Sequence, residues 1–188
     1  MASIRSRSKR LALVLTCGAC VLFLTGADAA LALTLTSSAF KSGGPIPSRY
    51  GCEGADLSPP LAWDGVPDGT KSFTLIVDDP DAPDPKAPKR VWVHWVLYNI
   101  PPGARGLDEN ADKTGLPPGT VRGVTDSRKT QYGGPCPPIG RHRYVHKLYA
   151  LDTTLDLGEA TKADLQAAMK GHVLAAAELI GTYQKGDR

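Results

Sequence analysis

A chain of 188 residues with 22 basic and 19 acidic side chains has room for one domain with a substantial core and little room for two. Its small positive balance comes from the N-terminal segment, and the remainder of the chain lacks the basic surplus or stripe of a nucleic-acid binder. Sixteen prolines and 20 glycines cut the chain into short pieces, the punctuation of an all-β domain rather than a helical bundle.

Residues 1–29 have the layout of an export signal. Arg5, Arg7, Lys9 and Arg10 form a basic start, and Leu11 to Thr25 form an apolar run shorter than the ~20 residues a membrane span needs. Ala27-Asp28-Ala29 supplies a small-residue cleavage site and Ala30-Leu31-Ala32 competes with it, so the cut is expected between Ala29 and Leu33. The expected mature domain, 30–188, is then periplasmic or secreted, has no further transmembrane segment, and carries 18 basic and 18 acidic residues. Only Cys52 and Cys136 remain after the cut, and an oxidising compartment favours their pairing as a disulfide.

Along the mature chain, residues 33–36 and 72–77 are rich in β-branched, hydroxyl and aromatic side chains and read as strands. The clearest strand is 91–99, VWVHWVLYN. Strict alternation puts Val91, Val93, Trp95 and Leu97 on one face and Trp92, His94, Val96 and Tyr98 on the other. Residues 101–131 form a polar connection too long for a simple hairpin. A second long strand runs over 142–151, with His142, Tyr144, His146, Leu148 and Ala150 sharing a face. The spacing of Leu165, Met169, His172, Val173, Ala176 and Ile180 predicts a C-terminal helix, started by Thr161 with Asp164 and stopped at Gly181. His172 falls on that stripe and reads as a core histidine.

Chemistry-bearing residues concentrate in DDPDAPDP at 78–85, WVHW at 92–95 and GGPCPPIGRHRY at 133–144. Together DPDAP from Asp79 to Pro83, His94 five places before Asn99, and CPPIGRHRY from Cys136 to Tyr144 resemble the phosphatidylethanolamine-binding protein family, also called the Raf kinase inhibitor protein family, in its bacterial branch. LSPPLAW at 57–63 and the ending GHVLAAAELIGTY extend the likeness. The resemblance implies a Greek-key antiparallel β-sandwich with a C-terminal helix. It also implies a small anion pocket on Asp79, Asp81, His94, Pro137, His142 and Tyr144, without a cofactor or metal.

The residue types suit that chemistry. A protonated histidine donates a charge-assisted hydrogen bond to a phosphate oxygen, and Asp79 and Asp81 would orient His94 or His142 and accept from an ammonium or a protonated phosphate oxygen. Gly133, Gly134, Pro137 and Pro138 would stiffen one wall and let backbone approach a ligand. His146 is assigned a structural or rim role; Arg141 and Arg143 are placed to contact phosphate, although exposed arginines at strand ends are more commonly solvated. The expected function is therefore non-enzymatic binding of a phosphorylated small molecule or phospholipid head group, with an extracytoplasmic protein as a second class of partner. Two alternatives stay open: an inhibitor-type regulator of a protease or kinase, and a metal-dependent hydrolase that uses the histidines and an aspartate.

Overall fold

The computed structural model describes residues 32–186; the expected export signal and its cleavage site lie outside them. The strands and α-helices come in the order β1 (Thr34–Thr36), β2 (Leu61–Asp64), β3 (Ser72–Asp79), β4 (Trp92–Ile100), β5 (Gly106–Leu107), α1 (Ala111–Thr114), β6 (Val121–Arg122), β7 (His142–Leu151), α2 (Lys162–Ala168) and β8 (Val173–Tyr183). They build two antiparallel sheets, one ordered β1-β2-β5 and the other β6-β4-β3-β7-β8. Among the described residues no helix is long and apolar enough to cross a membrane.

One apolar cluster joins the sheets. Leu35, Leu61, Trp63 and Leu107 of the small sheet pack on Phe73, Leu75, Trp95, Leu97, Leu148 and Leu179 of the large one, and the Trp63 and Phe73 rings lie 5.5 Å apart. The large sheet's outer face carries a second cluster, in which Ile76, Val96, Tyr98 and Leu151 lie under Leu155, Leu165 and Met169. β3 is buried along its whole length because it is covered on both faces and paired on both edges.

The C-terminal helix is shorter than its apolar periodicity suggests. The Thr161–Asp164 capping box forms, and Leu165 and Met169 are buried, but α2 ends at Ala168 and Gly171 turns the chain at φ +85°. Residues 173–183, read as the rest of the helix, pair with β7 as an edge strand in which Ala177, Leu179, Gly181 and Tyr183 point inward. An alanine-rich stretch favours a helix locally; ten backbone partners on β7 override that preference. Gly181 is therefore no helix stop. A Cβ there would overlap the Ile46 side chain. His172 is exposed at the turn and pairs with Asp152 at 2.8 Å, so it is not a core histidine.

The 101–131 connection holds β5, α1 and β6. It is tied down by the buried Asp112, which accepts from the Trp95 indole, the Arg122 guanidinium and the Tyr132 amide. Cys52 and Cys136 form a disulfide.

Candidate functional site

Where β3 ends and β4 and β7 begin, a cavity of about 390 Å³ opens, walled by Asp79, Trp92, His94, Pro137 and Tyr144, with Arg90 at its mouth. Its inner residue is placed by an irregularity in the ladder. Val77 pairs with Trp95 while Asp78 pairs with Val93, so His94 is an extra residue in β4, a β-bulge that re-aims its side chain. Strict alternation consequently fails here: Val93 joins Val96 in the outer cluster, whereas His94 turns inward to meet the Tyr144 ring edge-on at 5.1 Å.

The bulge frees the His94 backbone from β3, and the 133–138 wall takes it up. Gly133 N–H donates to the His94 carbonyl at 3.1 Å, and His94 Nδ1 donates to the Gly133 carbonyl at 2.7 Å. Because a carbonyl only accepts, Nδ1 carries the proton. Nε2 makes no hydrogen bond with any described residue. Burial holds this imidazole below its usual pKa, against the opposing pull of the Gly133 carbonyl and the Asp79, Asp126 and Asp56 carboxylates. The ring is therefore neutral, and it presents a lone pair where the sequence suggested a cationic donor.

Tyr144 reaches the same space. Its hydroxyl is buried without a hydrogen-bond partner among the described residues; the Cys136 amide is directed toward it, and burial pushes the phenol well above its ordinary pKa. Buried polar groups are normally paired. An unpaired hydroxyl in a cavity wall is thus capacity left for a ligand.

Asp81 and His142 belong to a layer behind the wall rather than to the wall itself. His142 is fully buried, with Nδ1 2.6 Å from Asp79 Oδ2 and Nε2 2.9 Å from the Ile139 carbonyl. Both ring nitrogens are taken up within the protein, which leaves neither edge of the ring for a ligand. Asp79 Oδ1 accepts from the Asp81 amide at 2.7 Å. Asp81 is clamped by Arg143, whose Nε and Nη2 donate at 2.9 and 2.7 Å, and these hydrogen bonds hold its carboxyl below the usual range. Arg143 is thus a positioning residue and not merely solvated. His94 and His142 do not converge on a shared metal, and no cluster of three or more metal-ligating side chains occurs among the described residues.

The 133–138 wall is anchored to residues 50–56. Besides the disulfide, the Tyr132 hydroxyl donates to the Tyr50 carbonyl, the Cys52 amide to Pro135, and the Gly134 amide to Asp56 at 2.7 Å. Gly134 is the residue this anchoring cannot exchange, because a Cβ there would overlap the Tyr50 carbonyl and the Asp56 carboxylate. Gly134→Ala is expected to cost about 1 to 3 kcal/mol through overpacking, read as a lower urea midpoint; an unchanged midpoint would show that the wall yields freely.

Sequence reasoning missed Arg90, whose guanidinium lies 4.3 Å from the Trp92 ring centroid; the signal available was Lys89-Arg90 directly ahead of the aromatic strand. His146, given a structural or rim role, is wholly buried against Phe40. Neither of its nitrogens has a hydrogen-bond partner among the described residues.

Comparison with known proteins shows the family to which the chain is related. The profile of a family described as phosphatidylethanolamine-binding protein matches residues 36–184. A UPF0098 protein of Methanothermobacter thermautotrophicus is 54% identical over 156 residues, 82% of this chain and 100% of that protein. The crystal structure of a phosphatidylethanolamine-binding protein homologue, CT736, from Chlamydia trachomatis is 43% identical, covers 82% of this chain and 98% of its own, and superposes with a TM-score of 0.75. Escherichia coli YbcL, described as a new member of the mammalian family, is 34% identical, covers 82% of this chain and 99% of its own, and gives a TM-score of 0.74.

Proposed function

The chain belongs to the phosphatidylethanolamine-binding protein family, and on that premise we propose that it is an exported, non-enzymatic binding protein whose cavity receives a phosphate-bearing small molecule or phospholipid head group. The observation that carries this reading is the pair of unpartnered polar atoms, His94 Nε2 and the Tyr144 hydroxyl, in the wall of one cavity that has Arg90 at its mouth. Arg90 contributes a permanent positive charge where an anion would enter, and the apolar and proline-rich remainder excludes water from the contact. On this reading the two sheets are the family's Greek-key sandwich. Residues 1–29 are a removable signal, with the Cys52–Cys136 disulfide consistent with an oxidising destination. A protein partner, if the cavity regulates one, would meet it outside the cytoplasm.

Calorimetric titration with O-phosphoethanolamine tests the reading. His94→Ala and Tyr144→Phe are each expected to weaken binding by about tenfold, the cost of one lost buried hydrogen bond, with unchanged far-ultraviolet circular dichroism. Equal affinity in the wild type and both variants would remove the cavity from the account. His142→Ala is not a matched control, because it strips the buried Asp79 of its partner and so probes stability as well as contact.

A further inference from the structure

We propose that the cavity, if it is the phosphate pocket proposed above, selects a ligand group that brings its own proton: the hydrogen-phosphate form of a phosphate monoester, in preference to a phosphodiester or a sulfate ester. The donors and acceptors that the wall exposes decide this. His94 Nδ1 donates to the Gly133 carbonyl and burial favours the neutral ring, so Nε2 is left to the cavity as an acceptor. Asp79, also in the wall, offers only acceptor oxygens, and its remaining lone pairs would oppose an unprotonated dianion. On the donor side stand the Tyr144 hydroxyl and the Cys136 amide directed toward it, with Trp92 and Ser127 also in the lining; none of them relieves the His94 lone pair. Pro137 and Pro138 supply no N–H to this wall, and the Gly134 amide is taken by Asp56. Arg90 at the mouth adds charge without relieving the acceptors within.

A group carrying both P=O and P–OH matches this wall: an oxygen receives the Tyr144 hydrogen, and the P–OH donates to His94 Nε2. A sulfate ester has the same shape and overall size, and a phosphodiester keeps one negative charge, but neither bears a proton at neutral pH. Either would set an oxygen against an imidazole lone pair, a buried acceptor facing an acceptor. The titratable groups around His94 are the Asp79, Asp56 and Asp126 carboxylates, of which Asp79 is paired with His142, together with the buried His146, with Arg90 at the entrance and the Tyr144 ring alongside. The acceptor face is thus backed by carboxylates, Asp126 and Asp56 beside the paired Asp79.

Phenyl phosphate, phenyl sulfate and methyl phenyl phosphate form a matched set that lacks any ammonium to act as a substitute donor. At pH 6, near the second pKa of a phosphate monoester, phenyl phosphate is expected to bind about tenfold or more tightly than the other two. Its affinity should fall by about tenfold per pH unit well above that pKa, as the P–OH form disappears. In ¹⁵N spectra His94 should keep its neutral tautomer, protonated at Nδ1, in the complex. In His94→Phe the preference should shrink. If phenyl sulfate binds within twofold of phenyl phosphate, or if His94 Nε2 gains a proton on binding, the selectivity claim is wrong and the phosphate pocket survives. If none of the three binds while the protein is folded, the pocket reading fails as well.

Discussion

Replacing His146 with leucine is expected to remove much of the protein's sensitivity to mild acid. His146 lies between the sheets with both ring nitrogens unsatisfied, and burial pushes its pKa down to about 4. The nearby backbone of Tyr144 and Leu179 opposes that shift only in part. Above pH 6.5 the ring is neutral in both the folded and unfolded chain and contributes nothing to pH dependence. Below it the unfolded chain takes up the proton first, so stability falls as pH drops and goes on falling to about pH 4. A gap of that width corresponds to on the order of 3 kcal/mol, which the wild type loses and His146→Leu keeps. Urea unfolding at closely spaced pH values from about 7.5 to about 4 measures the difference. His94, also held low by burial, contributes acid sensitivity of the same sign to both proteins and cancels in the comparison. Parallel curves for the two proteins would mean that His146 finds a partner when it is charged.

The second large effect belongs to the disulfide. Cys52 and Cys136 close a loop with a sequence separation of 84 residues, for which the chain-entropy account gives about 4 to 5 kcal/mol of stabilisation. The double variant Cys52→Ser, Cys136→Ser is expected to unfold at a correspondingly lower urea concentration. Adding a dithiol reductant should bring the wild type to the same midpoint and leave the variant unmoved. Coincident midpoints for oxidised wild type and variant would show that this cross-link contributes nothing to stability. Because Cys136 also lines the cavity, the same cross-link supports the site: beyond Pro135 the wall is held by the disulfide and by the Ile139 carbonyl on His142.

Strand existence was largely legible in the sequence, because β3, β4 and β7 combine β-branched and aromatic residues with clear punctuation at their ends. The limits of β7, His142 to Leu151, match the periodic run. Orientation was less legible. One extra residue at His94 inverts the assignment of Val93 and His94, and nothing local in VWVHWV announces a bulge; it appears only when β4 is set against β3. The helix ending failed for a related reason. Apolar spacing after Gly171 fits a helical stripe, yet the alternation of Ala175, Ala177, Leu179 and Gly181 was equally present, and pairing with β7 decides between them.

At the site, the residue types named from sequence do gather at one end of the large sheet, but their order in the chain does not rank them by depth. Whether a histidine faces a cavity or a carboxylate depends on partners 39 and 63 positions away, Gly133 for His94 and Asp79 for His142. The protonation state followed the same logic: a conspicuous histidine near aspartates suggested a cation, and burial with a single carbonyl partner made His94 an acceptor.

The β4 bulge carries one more implication. Since His94 is set by strand register and then fastened to Gly133, a one-residue change in that ladder would swap it for a neighbour outright instead of nudging it. On the proposed reading, the ladder and the tethered 133–138 wall fix the floor of the cavity, and the exposed residues 86–91 form a rim whose length and charge can change without disturbing it.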